Sequence, residues 1–319
     1  MKITGKTRIF TILAHPATHV VAPAIYNHIF EKLRLDMAYI PFDVQPHFIA
    51  GTLQAFRAWN NLGGFNVTTP NKESVAGFLD KTCPITSRIN AVNTVVRNED
   101  GTFDGYNTDG VGAQKALGVV RSAHCLVIGA GGAAKSIVDA LFTSRARRIS
   151  IINRSEANAM VLLDIFQSGR VTLFDEADLE DIDVVVQATP IVDHVPFDLD
   201  LKRLKKNTRV LETVMRPTVL SEKASEYGME VIPGYAMLYY QTKHNFSLLT
   251  GIDIPDTVLK NSFHSVGYSK QLESILNVPD AKATPRLPLK YVRHADLIQN
   301  AVCTIHIAIR PCLRKRTNH

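Results

Sequence analysis

The stretch "LVIGAGGAAKS", Leu126 to Ser136, constrains the fold more than any other part of the chain. An apolar strand pattern runs straight into Gly129, Gly131 and Gly132 and out again into a helical pattern. Glycines at such a turn let the backbone bend tightly and approach a phosphate, while the helix N-terminus supplies unpaired N–H groups and positive dipole. Ala134 stands in place of the third glycine of a dinucleotide fingerprint, a permitted variant. The glycines alone would also suit a plain strand–helix turn. Context favours the nucleotide. Further strands at "RRISIIN", "DVVVQAT", "TRVLET" and "MEVIPG" are separated by helical stretches, the pattern of parallel βα units. Gly129, Ala130, Gly131, Gly132 and Ala133 are therefore candidate cofactor residues, with Ala188, Thr189 and Gly234 at the ends of later strands.

The strand after the glycine turn ends at Asn153, followed by Arg154 and Ser155. An acid at that place bonds the ribose 2′-hydroxyl of NAD; an arginine suits the 2′-phosphate of NADP. NADP is therefore the expected cofactor, with NAD possible. A solvated surface arginine is the plainer reading of Arg154.

The first third alternates too. Strands are expected at 8–14, 37–44 and 63–69, with helices from Pro23 to about Leu35 and around 48–60. "GYNTDGVGAQKALG" carries the crossover between the two series, and a last helix starts near Asp256. At 319 residues there is chain enough for two cores. The expected class is α/β, with a parallel nucleotide-binding sheet and a second α/β domain.

Composition narrows the partners. The formal charge is +6, but from residue 281 onward there are 8 Lys+Arg against one acid, Asp296, leaving 28 basic and 29 acidic residues before it. A nearly neutral body with a basic tail is not the stripe that a nucleic acid demands. No apolar run approaches the roughly 18 residues of a membrane span, and the short apolar stretch near the N-terminus reads as a strand, not a signal peptide. The four cysteines are scattered without a CxxC pair, which indicates neither zinc nor a disulfide framework and suits a reducing cytoplasm.

One lysine stands out. In "GFNVTTPNKES", Lys72 follows Asn66, Thr68, Thr69 and Pro70, residues that hydrogen-bond well and cover little. It is either ordinary solvated surface or a proton carrier at the lip of a cleft. "NVTTPNK", "INAVNTVV", "DGYNTDGVG" and "GYAMLYYQTKHNF", together with "GAGGAAK" and "NRS", resemble the shikimate dehydrogenase family in order and spacing over about residues 3–275. The resemblance implies NADP-dependent, reversible oxidation of a ring hydroxyl on a cyclic polyol carboxylate. It implies a substrate domain at 1–112 completed by returning helices at about 235–275, a Rossmann-type domain at 113–234, and a basic tail at 276–319. It also implies Lys72 as catalytic lysine with Asp109 as partner, and Asn66, Thr68, Asn93 and Gln241 on the substrate hydroxyls. The chemistry agrees: removing hydride from an alcohol leaves a proton that a positioned group must take.

Plainer roles exist for each of these residues. Asparagines 93 and 107 suit turns and strand ends, Gln241 could face solvent, and Asp109 could cap a helix. A non-catalytic NADP(H)-binding or redox-sensing relative is the competing reading of the whole; monomer and homodimer are both compatible. The chain also departs from the family. Where the family loop reads like G-x-P-x-x-H-S-x-S-P, with two serines on the substrate carboxylate, this chain has "AHPATHVVAP". Val20 and Ala22 stand at the serine positions, so either Thr18 or His19 takes over the anion, or the substrate differs from shikimate, or efficient catalysis is lost. The intact Lys72–Asp109 pair speaks against the last, and weak binding of shikimate is the expectation.

Overall fold

The computed structural model describes residues 2–268, and the expected basic tail lies outside them. Six strands form the first sheet: β1 (Arg8–Ala14), β2 (Met37–Asp43), β3 (Leu62–Val67), β4 (Lys81–Thr82), β5 (Thr94–Arg97) and β6 (Phe103–Tyr106), in the order β2-β1-β3-β5-β6-β4. Among them run α1 (Ala22–Lys32), α2 (Ile49–Ala58), α3 (Lys72–Ala76) and α4 (Pro84–Ile89). Pro23 lies in the first turn of α1, where a missing N–H costs nothing. β1 pairs in parallel with β2 and β3, whereas β5 runs antiparallel to both β3 and β6. The expected parallel alternation is thus interrupted. Asn98 to Gly101 makes the tight reversal that brings β6 back beside β5, with Asn98 N–H on Thr102 O (2.9 Å) and Gly101 at φ +84°.

α5 (Asp109–Leu117) leads to the second sheet, whose strands are all parallel. It comprises β7 (His124–Ile128), β8 (Arg148–Ile152), β9 (Val171–Leu173), β10 (Val184–Gln187), β11 (Arg209–Glu212) and β12 (Glu230–Ile232). α6 (Gly132–Thr143), α7 (Glu156–Phe166) and α8 (Val219–Glu226) connect them, followed by α9 (Gly234–Thr250) and α10 (Asp256–Ser265). The order β12-β11-β10-β7-β8-β9 reverses direction between β7 and β10, the switch point at which doubly wound sheets bind ligands.

β7 shows why its last four residues, Cys125 to Ile128, are apolar without a break. Cys125 and Val127 enter a core with Ile137 and Leu141 of α6, while Leu126 and Ile128 enter the opposite core with Leu220 and Ala224 of α8. A strand covered on both faces needs no polar alternation. In the first sheet, Phe10 and Ile12 pack with α1, α9 and α10 through Tyr26, Phe246 and Phe263. Leu13 and Phe65 face α2 through Leu53 and Phe56. α9 therefore belongs to both cores, since Ala236 and Met237 join the β7 cluster.

Candidate active site

Lys72 is the first residue of α3, directly after the loop that leaves β3. That loop is pinned by Thr68 N–H to Leu13 O (3.0 Å) and Asn71 N–H to Thr68 O (2.9 Å). The lysine side chain is only 14% exposed, and its Nζ lies 2.5 Å from Asp109 Oδ2. It is not ordinary surface.

Asp109 begins α5, but the cap position belongs to Thr108, and neither side chain caps the helix. Capping, the plainer reading of Asp109, is not what the carboxylate does. It turns instead toward three donors: Lys72 Nζ on Oδ2, and Asn93 Nδ2 (2.8 Å) and Gln241 Nε2 on Oδ1. Its own N–H donates to Asn107 Oδ1 (3.1 Å). The same Asn107 oxygen accepts Ser136 Oγ (2.8 Å), which in turn accepts Gly110 N–H (2.8 Å). Ser136 lies on α6, so the acid is braced against the helix that follows the glycine turn.

The amides are largely engaged. Asn66, buried on β3, accepts Tyr39 Oη–H at Oδ1 (2.7 Å) and donates to Asn93 O (3.1 Å) and Thr94 Oγ1 (2.9 Å). Asn93 commits its Nδ2 to Asp109 and to Thr108 Oγ1 (3.0 Å). Gln241, the residue that a solvent-facing helix position would explain, points inward and is 9% exposed. The structure thus brings Asn93 and Gln241 onto the acid. Thr68 is half-buried on the loop beside Lys72.

Val20 follows a single turn at Ala17–His19 and packs beside an aromatic cluster containing Tyr26, Tyr39 and Tyr235; buried Ala22 opens α1. Neither offers a donor. Two of the loop's donors are spent internally, Ala17 N–H (2.9 Å) and His15 Nδ1 (2.8 Å), both on the Asp43 carboxylate, while Thr18 and His19 stand in the same turn. Those bonds, the backbone one first, hold Asp43 below the usual carboxylate range.

The glycine turn sits at the β7/β10 switch point. Gly129 has φ +117°, and a Cβ there would stand 2.9 Å from Ala188 O, so only glycine fits without strain. Gly131 is the N-cap of α6, and a side chain on it would meet nothing within 4 Å, leaving room before the helix N-terminus. A Cβ on Gly132 would come within 3.2 Å of Lys72 Cβ, which puts the turn directly against the lysine. Ala130 is buried and Ala133 half-buried in the same turn. Thr189 Oγ1 donates to Gln187 Oε1 (2.9 Å), fixing the loop after β10, and Gly234 opens α9 beside the Val214 carbonyl. At the end of β8, Ser155 caps α7, Asn153 Nδ2 donates to Ser155 O (2.9 Å), and Arg154 is exposed. A free helix N-terminus, a glycine turn with open space, and an exposed arginine with no acid at 153–155 fit a phosphorylated dinucleotide.

Sequence reasoning missed the braces. Tyr39, Thr94, Thr108 and Ser136 all bond the residues above, and Asn107, read from the sequence as a turn asparagine, holds Asp109 N–H and Ser136 Oγ. It also missed the ion pairs Lys135–Glu73 and Arg88–Asp139, both 2.9 Å, which join α6 to α3 and α4. Thr94 and Thr108 were findable, each following a singled-out asparagine in an Asn-Thr step. Ser136 closes the glycine-turn stretch, which explains it only as a helix residue.

Comparison with known proteins gives a consistent picture. Residues 12–95 match the model of the shikimate dehydrogenase substrate binding domain, and residues 112–215 match that of shikimate / quinate 5-dehydrogenase. The shikimate dehydrogenase (NADP(+)) of Methanobrevibacter smithii is 34% identical over 277 residues, covering 82% of this chain and 97% of that protein. The crystal structure of shikimate dehydrogenase from Aquifex aeolicus superposes with a TM-score of 0.76 at 28% identity, over 82% of this chain and 99% of the other. Shikimate 5-dehydrogenase from Listeria monocytogenes, in complex with shikimate and NAD, gives 0.73 at 32% identity over 82% and 98%.

Proposed function

The chain belongs to the shikimate dehydrogenase family, and from that premise we propose that it is an NADP-dependent oxidoreductase interconverting a ring hydroxyl and a ring ketone on a cyclic polyol carboxylate. Shikimate and 3-dehydroshikimate are the first candidates and quinate the next. The observation that carries the reading is the Lys72–Asp109 pair, 2.5 Å apart and pressed against the glycine turn.

Bound NADP, held by the turn 129–133, the ends of β8 and β10, and Gly234, supplies the hydride chemistry. The remaining work falls to the chain. Lys72 Nζ spends one N–H on Asp109 and keeps two for the reacting oxygen. In the direction of ketone reduction it gives a proton to that oxygen as negative charge builds there; in the reverse direction it takes the hydroxyl proton back. Asp109, gripped by Asn93 and Gln241, fixes the amine and balances its charge. Asn66 has spent both N–H groups and keeps one lone pair on Oδ1; that lone pair and the Thr68 hydroxyl pair the remaining ring hydroxyls, which need partners once water has left. Val20 and Ala22 leave the carboxylate without the family's two hydroxyl donors, so shikimate binds weakly.

The division into a substrate half at 1–112 with 235–275 and a nucleotide half at 113–234 follows from this reading. Cys83 and Cys125 are free thiols, which suits a reducing cytoplasm; a monomer or a homodimer serves the chemistry equally. The test is to mix purified protein with NADP+ and a panel of shikimate, quinate and neutral ring polyols, and to follow the absorbance of reduced nicotinamide. Turnover on a ring alcohol supports the proposal. Tight NADPH binding with no turnover on any of them overturns it in favour of a non-catalytic nucleotide-binding role.

A further inference from the structure

Asn245 lies four residues after Gln241 on α9, on the same face of the helix. It is buried, at 7% exposure, and its Oδ1 accepts two hydroxyls: Thr94 Oγ1 at 2.8 Å and Thr108 Oγ1 at 2.7 Å. Each of those hydroxyls also receives an amide N–H from the site, Thr94 from Asn66 (2.9 Å) and Thr108 from Asn93 (3.0 Å).

A threonine hydroxyl has one proton to give. For both threonines the alternative acceptor is Asn93 Oδ1, at 3.0 Å from Thr94 and 3.2 Å from Thr108, farther than Asn245 in each case. Asn93 Oδ1 is already occupied by Thr108 N–H (3.0 Å). With Asn245 present, both protons point at one carboxamide oxygen, and the hydroxyl lone pairs turn toward Asn66 and Asn93. Without it, the protons swing toward Asn93 and compete for the oxygen that fixes that side chain. The other N–H of Asn93 is the one on Asp109 Oδ1, at 2.8 Å.

We infer that Asn245 is a positioning residue: through the Thr94 and Thr108 hydroxyls it locks the rotamers of Asn66 and Asn93, and through Asn93 it holds the Asp109 carboxylate in line with Lys72. This rests on the proton-transfer role proposed for that pair. Asn245 itself touches neither Asp109 nor Lys72 in any of these bonds.

Two measurements on the full-length protein test it. In kinetics, Asn245→Leu, close in volume but without an acceptor, lowers kcat on the ring alcohol by about 10–100-fold, the scale of a displaced reacting group. It leaves KM for NADP+ within about twofold, because the cofactor residues are elsewhere. Thr108→Val lowers kcat similarly, and the double variant is no worse than the poorer single one, since both break the same relay. An unchanged kcat, or losses that multiply in the double variant, overturns the inference. The second measurement needs no turnover. In 15N-labelled protein, Asn245→Leu shifts or broadens the side-chain amide signals of Asn66 and Asn93. That of Asn61, which donates to Thr7 O (3.0 Å), stays where it is. Should wild-type protein turn over no ring alcohol, the functional proposal fails and these signals alone decide: unmoved Asn66 and Asn93 amides overturn the positioning role.

Discussion

Replacing Asp109 by asparagine puts the proposed proton-transfer unit under its most informative strain. The carboxylate now accepts at both oxygens, from Lys72 on one and from Asn93 and Gln241 on the other. An asparagine carries one oxygen and one NH2 group, and either orientation sets donor against donor. If its oxygen stays with Asn93 and Gln241, its NH2 faces the lysine amine and the charge-assisted bond is lost. If it flips, two bonds are lost instead. A bond to a charged group contributes about 1.5–3 kcal/mol, and about 1.4 kcal/mol is a factor of ten. The expected loss is therefore roughly 10–100-fold in kcat from misplacement of the amine alone. Nothing in the turn 129–133 contacts the Asp109 carboxylate through these bonds, so NADPH affinity should hold within about twofold. Steady-state rates on the ring alcohol and fluorescence titration with NADPH supply the two numbers. An Asp109→Asn variant that keeps wild-type kcat would refute the reasoning, because the mismatch is unavoidable in this geometry.

Other expected outcomes follow from the same structure. Arg154→Ala should weaken NADPH about tenfold or more while leaving NADH binding nearly unchanged, the loss of one charge-assisted phosphate contact; equal losses for both cofactors would remove Arg154 from the 2′-phosphate. Val20→Ser combined with Ala22→Ser should lower KM for shikimate at least tenfold at constant kcat, each restored hydroxyl contributing about 1.5 kcal/mol or more. An unaltered KM would show that the carboxylate lies elsewhere. Burial pushes the Glu212 carboxyl up to about 7, opposed by its bonds to Thr218 Oγ1–H (2.7 Å) and Val214 N–H (3.1 Å). The folded state then holds a proton that the unfolded chain has released, so stability falls as pH rises from about 4.5 to 7, by up to about 3 kcal/mol. Melting temperatures of Glu212→Gln and wild type, compared from pH 5 to 8, should diverge in favour of the variant as pH rises; a constant difference would contradict the assignment.

The parts of the protein visible in the sequence were those governed by short-range rules. The strand before Gly129 and the helix after it follow from apolar patterning and a turn that only glycine tolerates, and the structure places both there. Lys72 and Asp109 are singled out by their motifs, although nothing local says that two residues 37 positions apart meet. The resemblance supplied that pairing. What escaped was set by tertiary geometry. Gln241 reads locally as a solvent-facing residue, yet α9 is shared by both cores and turns that face inward. The antiparallel β5 and β6 were hidden because each is only four residues long, too short for alternation to stand out. For Asp109, local pattern left a helix cap open as the plainer alternative to a partner for Lys72; its carboxylate lies on the amine opposite.

The proposal that Lys72 carries the proton is tested most directly by Lys72→Ala, assayed by single-turnover reduction of NADP+ with saturating ring alcohol alongside NADPH titration. The account predicts a rate lower by about 10²–10⁴-fold with cofactor affinity within about threefold of wild type. A variant that transfers hydride at the wild-type rate would contradict it.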